Sequence, residues 1–408
     1  MLLKFWPAGH RNFGVSVDTI DYGARPRSII NRPALRQQHD GLSVAIYIHD
    51  LSPGGVERQC LVLARELERR GVDIALVLHQ MRGELMPLLP TGVPVVNLHG
   101  RRTLHDVLRL RRFLRQERPD ILMANVDHNN VAAALATAVS GTDTKLVICQ
   151  HNPISAGFHA TVNWKHRLVP LCYRALSSQI DHAVAVSNGI AGELVRDAGF
   201  GPEKVSTIYN AVIGDDFRDR AAVPVCHPWL VQKDRPVFVT AGRLVEMKDH
   251  RNLLRAFALH LQTQPARLIV LGVGPMLTEL RALAGTLGID EHVAFAGFVE
   301  NPLPYMRAAD AFVLSSRSEG FGNVLVEAMG CGTPVVSTNC PHGPADILSH
   351  GEYGLLVAPR DSEALAAAMG RVLEERDRWP ADRLRLRAAA FSYGTCADTY
   401  WRLFQRLV

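Results

Sequence analysis

The chain of 408 residues lacks several features that mark other classes of protein. No uninterrupted apolar run reaches the roughly 18 residues that a membrane-spanning helix needs. Residues 1–40 contain no secretory hydrophobic region, and the seven cysteines include no C-x-x-C pair. We therefore expect reduced cysteines in a cytoplasmic protein, with neither a zinc site nor a disulfide framework.

Several catalytic and binding signatures are also missing. There is no P-loop, no G-x-S-x-G elbow, and no D-x-D motif at a strand end with the spacing of metal-dependent sugar transferases. The net charge of +5 is mild, and no basic–aromatic repeat accompanies it. These absences argue against a nucleic-acid partner and against the commonest hydrolase and NTPase mechanisms.

Short apolar segments alternate with amphipathic ones along most of the chain. The length favours two domains, and 47% hydrophobic with 21% charged residues is typical of globular proteins. Continuous apolar strands between helices predict parallel sheets that are covered on both faces. The predicted strands are 44–48, 74–78, 93–96, 121–124, 146–149, 183–186 and 205–208, then 237–241, 268–271, 293–296, 311–315 and 335–337. The predicted fold class is α/β, with two Rossmann-like, doubly wound domains that face each other across a cleft.

The domain boundaries are predicted where this alternation stops. We expect a mobile N-terminal extension over residues 1–40, a first domain over 41–212 and a second domain over 237–394. Between the domains, residues 213–236 are rich in Asp, Arg and Pro and have no strong periodicity, which is typical of a linker. Residues 395–408 include apolar side chains at helical spacing.

Two glutamates flank a tight turn in the segment Glu319–Glu327, whose sequence is E-G-F-G-N-V-L-V-E. The glycines permit a sharp exit from strand 311–315, and we expect Asn323 to cap the helix that follows. Glu319 then lies in the loop, and Glu327 lies one turn into the helix. Because a carboxylate accepts from two hydroxyls at once, this pair suits the vicinal diols of a sugar or ribose. The alternative is a surface loop with two solvated glutamates.

Two cations follow the first strand of the second domain. Gly242 ends strand 237–241, and Arg243 and Lys248 lie on the loop before a helix that we expect to start near Asp249. An arginine fork and a lysine point charge beside a helix N-terminus suit a pyrophosphate. The alternative is a pair of solvated loop cations.

The first domain offers two further candidates at the carboxyl ends of its strands. Gly54 and Gly55 follow strand 44–48, where they either let the backbone approach a ligand or make a tight turn. His151 follows strand 146–149, where it is either a structural hydrogen-bonding residue or a group that contacts substrate.

Together these segments resemble the glycosyltransferases of family 4, which have the two-domain GT-B architecture. The resemblance covers residues 42–408. The motifs that carry it are Gly54-Gly55, His151, Gly242-Arg243-Leu244 with Lys248, and Glu319-Gly-Phe-Gly through Glu327. The segment 337–348 is also similar to that of enzymes that build bacterial surface polysaccharides and lipopolysaccharide cores. By this resemblance, the C-terminal helix over 395–408 would pack back on the first domain.

The resemblance implies a metal-independent, retaining hexosyltransferase that moves a sugar from a nucleotide-sugar to an acceptor hydroxyl. Arg243 and Lys248 would bind the leaving pyrophosphate, so that no cofactor or metal is required. Glu327 would hold the ribose. The remaining donor-binding groups would be Gly55, Gly242, Glu319 and the amides of Phe321, Gly322 and Asn323. His151 would contact the donor sugar and stabilise the developing charge rather than act as a nucleophile. The predicted catalytic residues are His151 and Glu319.

The partners implied are a nucleotide-sugar donor and a glycan or lipid-linked acceptor. Two alternatives stay open: a nucleotide-sugar 2-epimerase of the same architecture, and a non-catalytic protein that binds nucleotide-sugars or glycans.

The G-V-G at 272–274 lacks the third glycine of a dinucleotide fingerprint, so we interpret it as a turn between strand and helix.

One basic segment has two interpretations. Residues 101–118 hold seven arginines and two acids, with apolar residues between them. This pattern is typical of an amphipathic helix with a charged outer face. The alternative is an interfacial patch that attaches the protein peripherally to anionic lipid on the inner face of the plasma membrane.

Overall fold

The first domain is built on an eight-stranded parallel sheet. The structure, a computed structural model, describes residues 19–21, 41–100, 103–154 and 169–408. The strands are β1 (Thr19–Asp21), β2 (Ser43–Ile48), β3 (Asp73–Leu78), β4 (Val95–Asn97), β5 (Ile121–Asn125), β6 (Lys145–Gln150), β7 (His182–Ala185) and β8 (Val205–Thr207). Their order in the sheet is β1-β4-β3-β2-β5-β6-β7-β8. Alternate residues of β2 belong to two separate apolar clusters, so both faces of this sheet are buried.

The second domain holds a six-stranded parallel sheet. Its strands are β9 (Val237–Ala241), β10 (Arg267–Leu271), β11 (Val293–Gly297), β12 (Ala311–Leu314), β13 (Val335–Thr338) and β14 (Leu355–Val357), in the order β11-β10-β9-β12-β13-β14. In both sheets the order reverses after the central strand, between β2 and β5 and between β9 and β12. Open α/β sheets bind ligands outside the carboxyl ends of the strands at such switch points.

Fifteen described helices connect and cover the strands. They are α1 (Gly55–Glu68), α2 (Thr103–Glu117), α3 (Asp127–Ala138), α4 (Val169–Leu176), α5 (Asn188–Arg196), α6 (Phe217–Ala222), α7 (Pro228–Val231), α8 (His250–Leu261), α9 (Leu277–Thr286), α10 (Leu303–Ala308), α11 (Asn323–Cys331), α12 (Pro344–Ile347), α13 (Ser362–Glu374), α14 (Ala381–Ala389) and α15 (Tyr393–Leu407).

The predicted fold class is confirmed. Every predicted strand is present, to within two residues at each end. The strands β1 and β14, of three residues each, were not predicted. The strand β1 falls within the predicted N-terminal extension and pairs in parallel with β4. The rest of residues 1–40 lies outside the described residues.

The segment between the domains is folded rather than extended. Residues 213–236 contain α6 and α7, and these helices bury Phe217 and Leu230. Ile213 forms a parallel bridge with Ser392, just before α15. The low periodicity of this stretch reflects the shortness of its helices, which are six and four residues long.

The C-terminal helix belongs to the core of the first domain. Along α15, Cys396, Tyr400 and Phe404 are buried at helical spacing and share an apolar cluster with residues of α1 and β2. The hydroxyl of Tyr400 lies 3.4 Å from the Sγ atom of Cys149 on β6. The chain therefore returns to the first domain after completing the second.

Candidate active site

Two of the predicted segments meet at the switch point of the second sheet. The strands β9 and β12 are direct neighbours, so the loops after them start side by side. The Nζ atom of Lys248 lies 2.5 Å from Oε1 of Glu319, and the Ser316 hydroxyl donates to the same oxygen at 2.6 Å. Glu319 is only 6% exposed. Lys248 and Glu319, predicted for different parts of a donor, thus form one largely buried pair, and the ammonium keeps further N–H donors for a ligand.

A network of charges fixes the loop that carries Lys248. The guanidinium of Arg317 donates to both oxygens of Asp249, at 2.7 and 3.0 Å, and to Glu246 at 2.5 Å. Asp249 caps α8 by accepting from the amide of Asn252. The helix starts where we predicted, but its N-terminus already holds a carboxylate. Asp249 therefore accepts from one of the amides that an anionic ligand would otherwise bind.

The other predicted cation lies in the open. Arg243 is exposed and forms no ion pair with any residue that the structure describes. The cations around it are paired instead, as Lys248 is with Glu319 and Arg317 is with Asp249. A guanidinium at the edge of the cleft without such a partner keeps its planar fork for an anionic ligand.

The helix α11 begins at Asn323, the residue that we predicted to be its cap. Its cap is Gly322, which has a φ of 103° and offers no side chain to the helix, while Asn323 is the first helical residue. The prediction that Asn323 caps the helix is therefore wrong, because the turn places the cap position at a left-handed residue. The side-chain oxygen of Asn323 instead accepts from the side-chain amide of Asn210 in the first domain, at 3.0 Å. No side chain of the described residues caps the first amides of α11, which face the turn after Glu319.

Glu327 lies in the second turn of α11, as predicted. Burial raises the pKa of its carboxyl, and the positive charges of Arg220 and Arg58 oppose that shift. These arginines come from α6 and from α1, so Glu327 faces the junction of the two domains. Neither arginine was predicted as a site residue, since neither carries a motif.

His151 lies at the carboxyl edge of the first sheet. Its Nε2 atom is 3.0 Å from the side-chain oxygen of Asn125, which ends the neighbouring strand β5. Burial lowers the pKa of the imidazole to about 4. The ring is therefore neutral at pH 7, and with Nε2–H donating to Asn125 its Nδ1 atom is a hydrogen-bond acceptor. Asn125 is a further site residue that the sequence analysis missed, although it directly follows a predicted strand.

The loops of His151 and Glu319 touch each other across the cleft. A Cβ atom placed on Gly320 would lie 2.0 Å from the carbonyl oxygen of His151, so only glycine fits there. Beside this contact, the rings of Tyr209 and Phe321 stack with their centroids 5.5 Å apart. The fold thus brings the predicted residues of the second domain directly against the predicted histidine of the first.

The glycine pair of the first domain lies at the start of α1. Gly54 is the cap of this helix, and a Cβ atom there would lie 2.1 Å from a carboxylate oxygen of Glu57. The Glu57 side chain therefore folds back over Gly54. Gly55, the residue that we predicted to contact the donor, has open space on its Cβ side. A phosphate could approach the backbone at Gly55 but not at Gly54 unless Glu57 moved.

Two other segments have structural explanations. The amide of Leu244 donates to the carbonyl of Val273 at 2.9 Å, so the G-V-G turn packs against the loop of Arg243. In α2, Arg109 donates to the carbonyl of Leu98 and Arg111 to that of Val139. Arg101 and Arg102 lie outside the described residues. Within the described ranges, no helix is long and apolar enough to cross a membrane.

Two protein families match the chain in tandem. Residues 53–213 match the family described as Glycosyltransferase Family 4, and residues 227–392 match the glycosyl transferases group 1. The two matches follow one another along the chain, one on each Rossmann-like domain. The chain belongs to the family 4 glycosyltransferases. The predicted family is confirmed.

Relatives of known activity align along most of the chain. It is 28% identical over 362 residues to the N-acetylgalactosamine-N,N'-diacetylbacillosaminyl-diphospho-undecaprenol 4-alpha-N-acetylgalactosaminyltransferase of Campylobacter jejuni, covering 85% of this chain and 95% of that protein. It is 28% identical over 361 residues to the lipopolysaccharide core biosynthesis glycosyltransferase LpsE of Rhizobium meliloti, covering 87% and 94%.

Solved structures share the architecture. The structure of HepE from Anabaena in complex with UDP-glucose superimposes with a TM-score of 0.72 at 22% identity, covering 90% of this chain and 100% of that chain. At this level of identity the likeness shows the fold, and it confirms the GT-B architecture.

Proposed function

We propose that this glycosyltransferase moves a sugar from a nucleotide-sugar to an acceptor hydroxyl and retains the anomeric configuration. The observation that carries the proposal is the contact of the Glu319 loop with His151 across the cleft, beside the Lys248–Glu319 pair. A donor bound there would lie between both domains. The names of the relatives, which act in lipopolysaccharide and lipid-linked glycan synthesis, favour a cell-surface polysaccharide, lipopolysaccharide or lipid-linked acceptor.

In this proposal the donor diphosphate binds to Arg243 and Lys248. The exposed guanidinium supplies a fork, and the Lys248 ammonium uses the donors that Glu319 leaves. The uncapped amides of Phe321, Gly322 and Asn323 add the positive end of α11. These groups would stabilise the charge that develops on the leaving phosphate, so we expect no metal to be required.

The sugar and the ribose would bind to the two glutamates. Glu319 is anchored through Oε1, and its Oε2 atom makes no hydrogen bond to the described residues, so it can accept from sugar hydroxyls. Glu327 would accept from the ribose diol at the domain junction. Gly242 and Gly55 would border the phosphates from the two sides of the cleft.

The reaction would proceed on one face of the sugar. The bond between the anomeric carbon and the leaving phosphate oxygen breaks, the acceptor oxygen bonds to that carbon, and the acceptor proton moves to the phosphate. The neutral His151 contributes a lone pair on Nδ1, which orients a hydroxyl of the donor sugar and stabilises the positive charge that develops on the sugar ring. It does not form a covalent intermediate.

The decisive experiment is a screen of the purified protein for slow hydrolysis of UDP-, GDP- and ADP-sugars. We expect one nucleotide class to be hydrolysed, and proton NMR to show that the first-formed sugar keeps the donor configuration. A control with Arg243→Ala and Lys248→Ala together should lose this activity. Inversion of the anomer would refute the retaining mechanism. Conversion of a UDP-sugar to its 2-epimer would indicate the epimerase, and binding without turnover of any donor would indicate a binding protein.

We also propose that α2 attaches the enzyme peripherally to anionic membrane. Arg112 and Arg115 are both exposed on this helix, and Leu108 is 69% exposed beside them. Each basic residue near an anionic surface contributes about 1 kcal/mol, so the attachment should be reversible and sensitive to salt. The partition coefficient onto vesicles rich in phosphatidylglycerol, measured by co-sedimentation, should fall by roughly thirtyfold in Arg112→Gln/Arg115→Gln, because about 2 kcal/mol is lost. The matched change Arg402→Gln/Arg406→Gln on α15 should have no such effect, and equal losses in both variants would refute the patch.

A further inference from the structure

One buried carboxylate serves two loops that belong to different domains. Glu193, in the second turn of α5, accepts from the amide of Ile154 through Oε2 at 2.7 Å. Its Oε1 atom lies 2.9 Å from Nε2 of His342 in the second domain, and the two side chains are 5% and 7% exposed. Because a carboxylate only accepts, the Nε2 atom of His342 carries the proton. Ile154 is three residues after His151, so Glu193 is linked to the loop of that histidine.

The surface of α5 is shaped to admit His342. Gly189 lies one helical turn before Glu193, and therefore on the same face. A Cβ atom on Gly189 would lie 2.6 Å from Cδ2 of His342 and 3.3 Å from its Cα. The imidazole thus occupies a notch with glycine on one side and a carboxylate on the other. His342 also has a φ of 73°, which a residue other than glycine keeps only where its surroundings hold it.

Residues 342–343 also contact the proposed donor-binding loop, which carries Glu319 and Phe321. Gly343, which follows His342, has a φ of 97°, and a Cβ atom there would lie 1.8 Å from the carbonyl oxygen of Phe321. The backbone of residues 342–343 is therefore in contact with the loop that carries Glu319. A continuous chain of contacts runs from the loop of His151 through Glu193 and His342 to the donor-binding turn.

We infer that Glu193 and His342 are a positioning pair, which sets the loop of His151 against the Glu319 turn when the cleft is closed. The inference rests on the proposed function of those two loops. Neither Glu193 nor His342 would touch the donor. Loss of the pair should leave donor affinity largely intact and lower turnover, because the groups of the two domains would no longer be held in register.

A second contact between the same elements provides a matched control. The carboxylate of Asp346 accepts from the backbone amide of Asn188 at 2.8 Å and from its side-chain amide at 2.9 Å. This contact also joins α5 to the second domain, but it is exposed and involves no residue of either loop. If interdomain adhesion alone mattered, Asp346→Ala and His342→Ala would have the same effect.

The test compares His342→Ala, His342→Gln and Asp346→Ala by two readouts. Hydrogen exchange without substrate reports on the Ile154 amide. Hydrolysis of the donor found by the screen gives kcat, and calorimetry gives the Kd of the corresponding nucleoside diphosphate. In His342→Ala we expect the Ile154 amide to exchange about tenfold faster and kcat to fall about tenfold. The Kd of the diphosphate should change less than about twofold. Glutamine can still donate to Glu193, so His342→Gln should recover most of both losses.

Several results would overturn the inference. It is wrong if His342→Ala changes exchange and kcat no more than Asp346→Ala does, or if His342→Gln recovers neither. If His342→Ala fails to fold, His342→Asn takes its place, since the shorter amide does not reach Glu193. If the wild-type protein hydrolyses no nucleotide-sugar, the proposed function fails, and the exchange of the Ile154 amide still decides whether the pair holds the loop.

Discussion

Replacement of Lys248 should damage stability and turnover for separable reasons. In the folded protein its ammonium is 2.5 Å from Oε1 of Glu319, and the two side chains are 18% and 8% exposed. Lys248→Ala leaves the Glu319 carboxylate buried with the Ser316 hydroxyl as its remaining donor. Removal of one partner of a fully buried pair costs about 3–5 kcal/mol of unfolding free energy, because the other charge stays uncompensated. Because Lys248 is partly exposed, we expect a loss at the lower end, about 3 kcal/mol. Loss of a phosphate ligand should also lower turnover by about a hundredfold.

The double variant Lys248→Ala/Glu319→Gln separates the two effects. It removes the unpaired charge of the Glu319 carboxylate, so a urea titration should show that most of the lost unfolding free energy is restored. Donor hydrolysis should stay impaired. As a control, Arg383→Ala breaks the exposed ion pair with Glu352, in which the side chains of Arg383 and Glu352 are 40% and 53% exposed. That change should cost less than about 1 kcal/mol and leave hydrolysis unchanged. A double variant no more stable than Lys248→Ala would refute the reasoning.

Three further predictions concern the loops of the cleft. Gly320→Ala should lower hydrolysis by about tenfold or more, because its Cβ atom would collide with the carbonyl of His151. The control Gly370→Ala meets open space and should leave hydrolysis unchanged, and equal activities of the two variants would refute the contact between the loops. Because burial lowers the pKa of His151 to about 4, the unfolded chain binds more protons between about pH 6.5 and 4. Unfolding free energy should thus decrease as the pH is lowered across that window, less steeply in His151→Gln, and an NMR titration of His151 near pH 6.5 would refute this. Glu327→Ala should weaken binding of the free nucleoside diphosphate, and Glu319→Ala should weaken only the intact donor, with losses of roughly 1.5–3 kcal/mol by calorimetry; equal losses for both ligands would refute the division.

The architecture was predictable because it depends on local patterns. The apolar runs predicted as strands at 237–241 and 311–315 are the strands Val237–Ala241 and Ala311–Leu314 in the structure, and the alternation with helices predicts the parallel sheets. The family resemblance then identified the loops that follow these strands. Both kinds of inference use residues that are close together in the sequence.

The contacts within the site were not predictable in the same way. Lys248 and Glu319 are separated by 71 residues and meet only because β9 and β12 are neighbours at the switch point. Asn125 and Ser316 belong to no motif, since an amide or a hydroxyl after a strand is common in any sequence. Asn323 is typical of a helix cap, but the left-handed Gly322 takes that position. These outcomes depend on tertiary packing rather than on spacing.

The most direct test of the account is the binding of a nucleoside diphosphate without metal. Calorimetric titrations of UDP, GDP and ADP would be carried out in EDTA, with the wild-type protein and with Arg243→Ala/Lys248→Ala. We predict that one diphosphate binds the wild-type protein and that the double variant weakens it by about a hundredfold or more, since two charge-assisted contacts are lost. Equal affinity in the double variant would contradict the assignment of the phosphate site. Binding that appears only after addition of magnesium or manganese would contradict the metal-free mechanism.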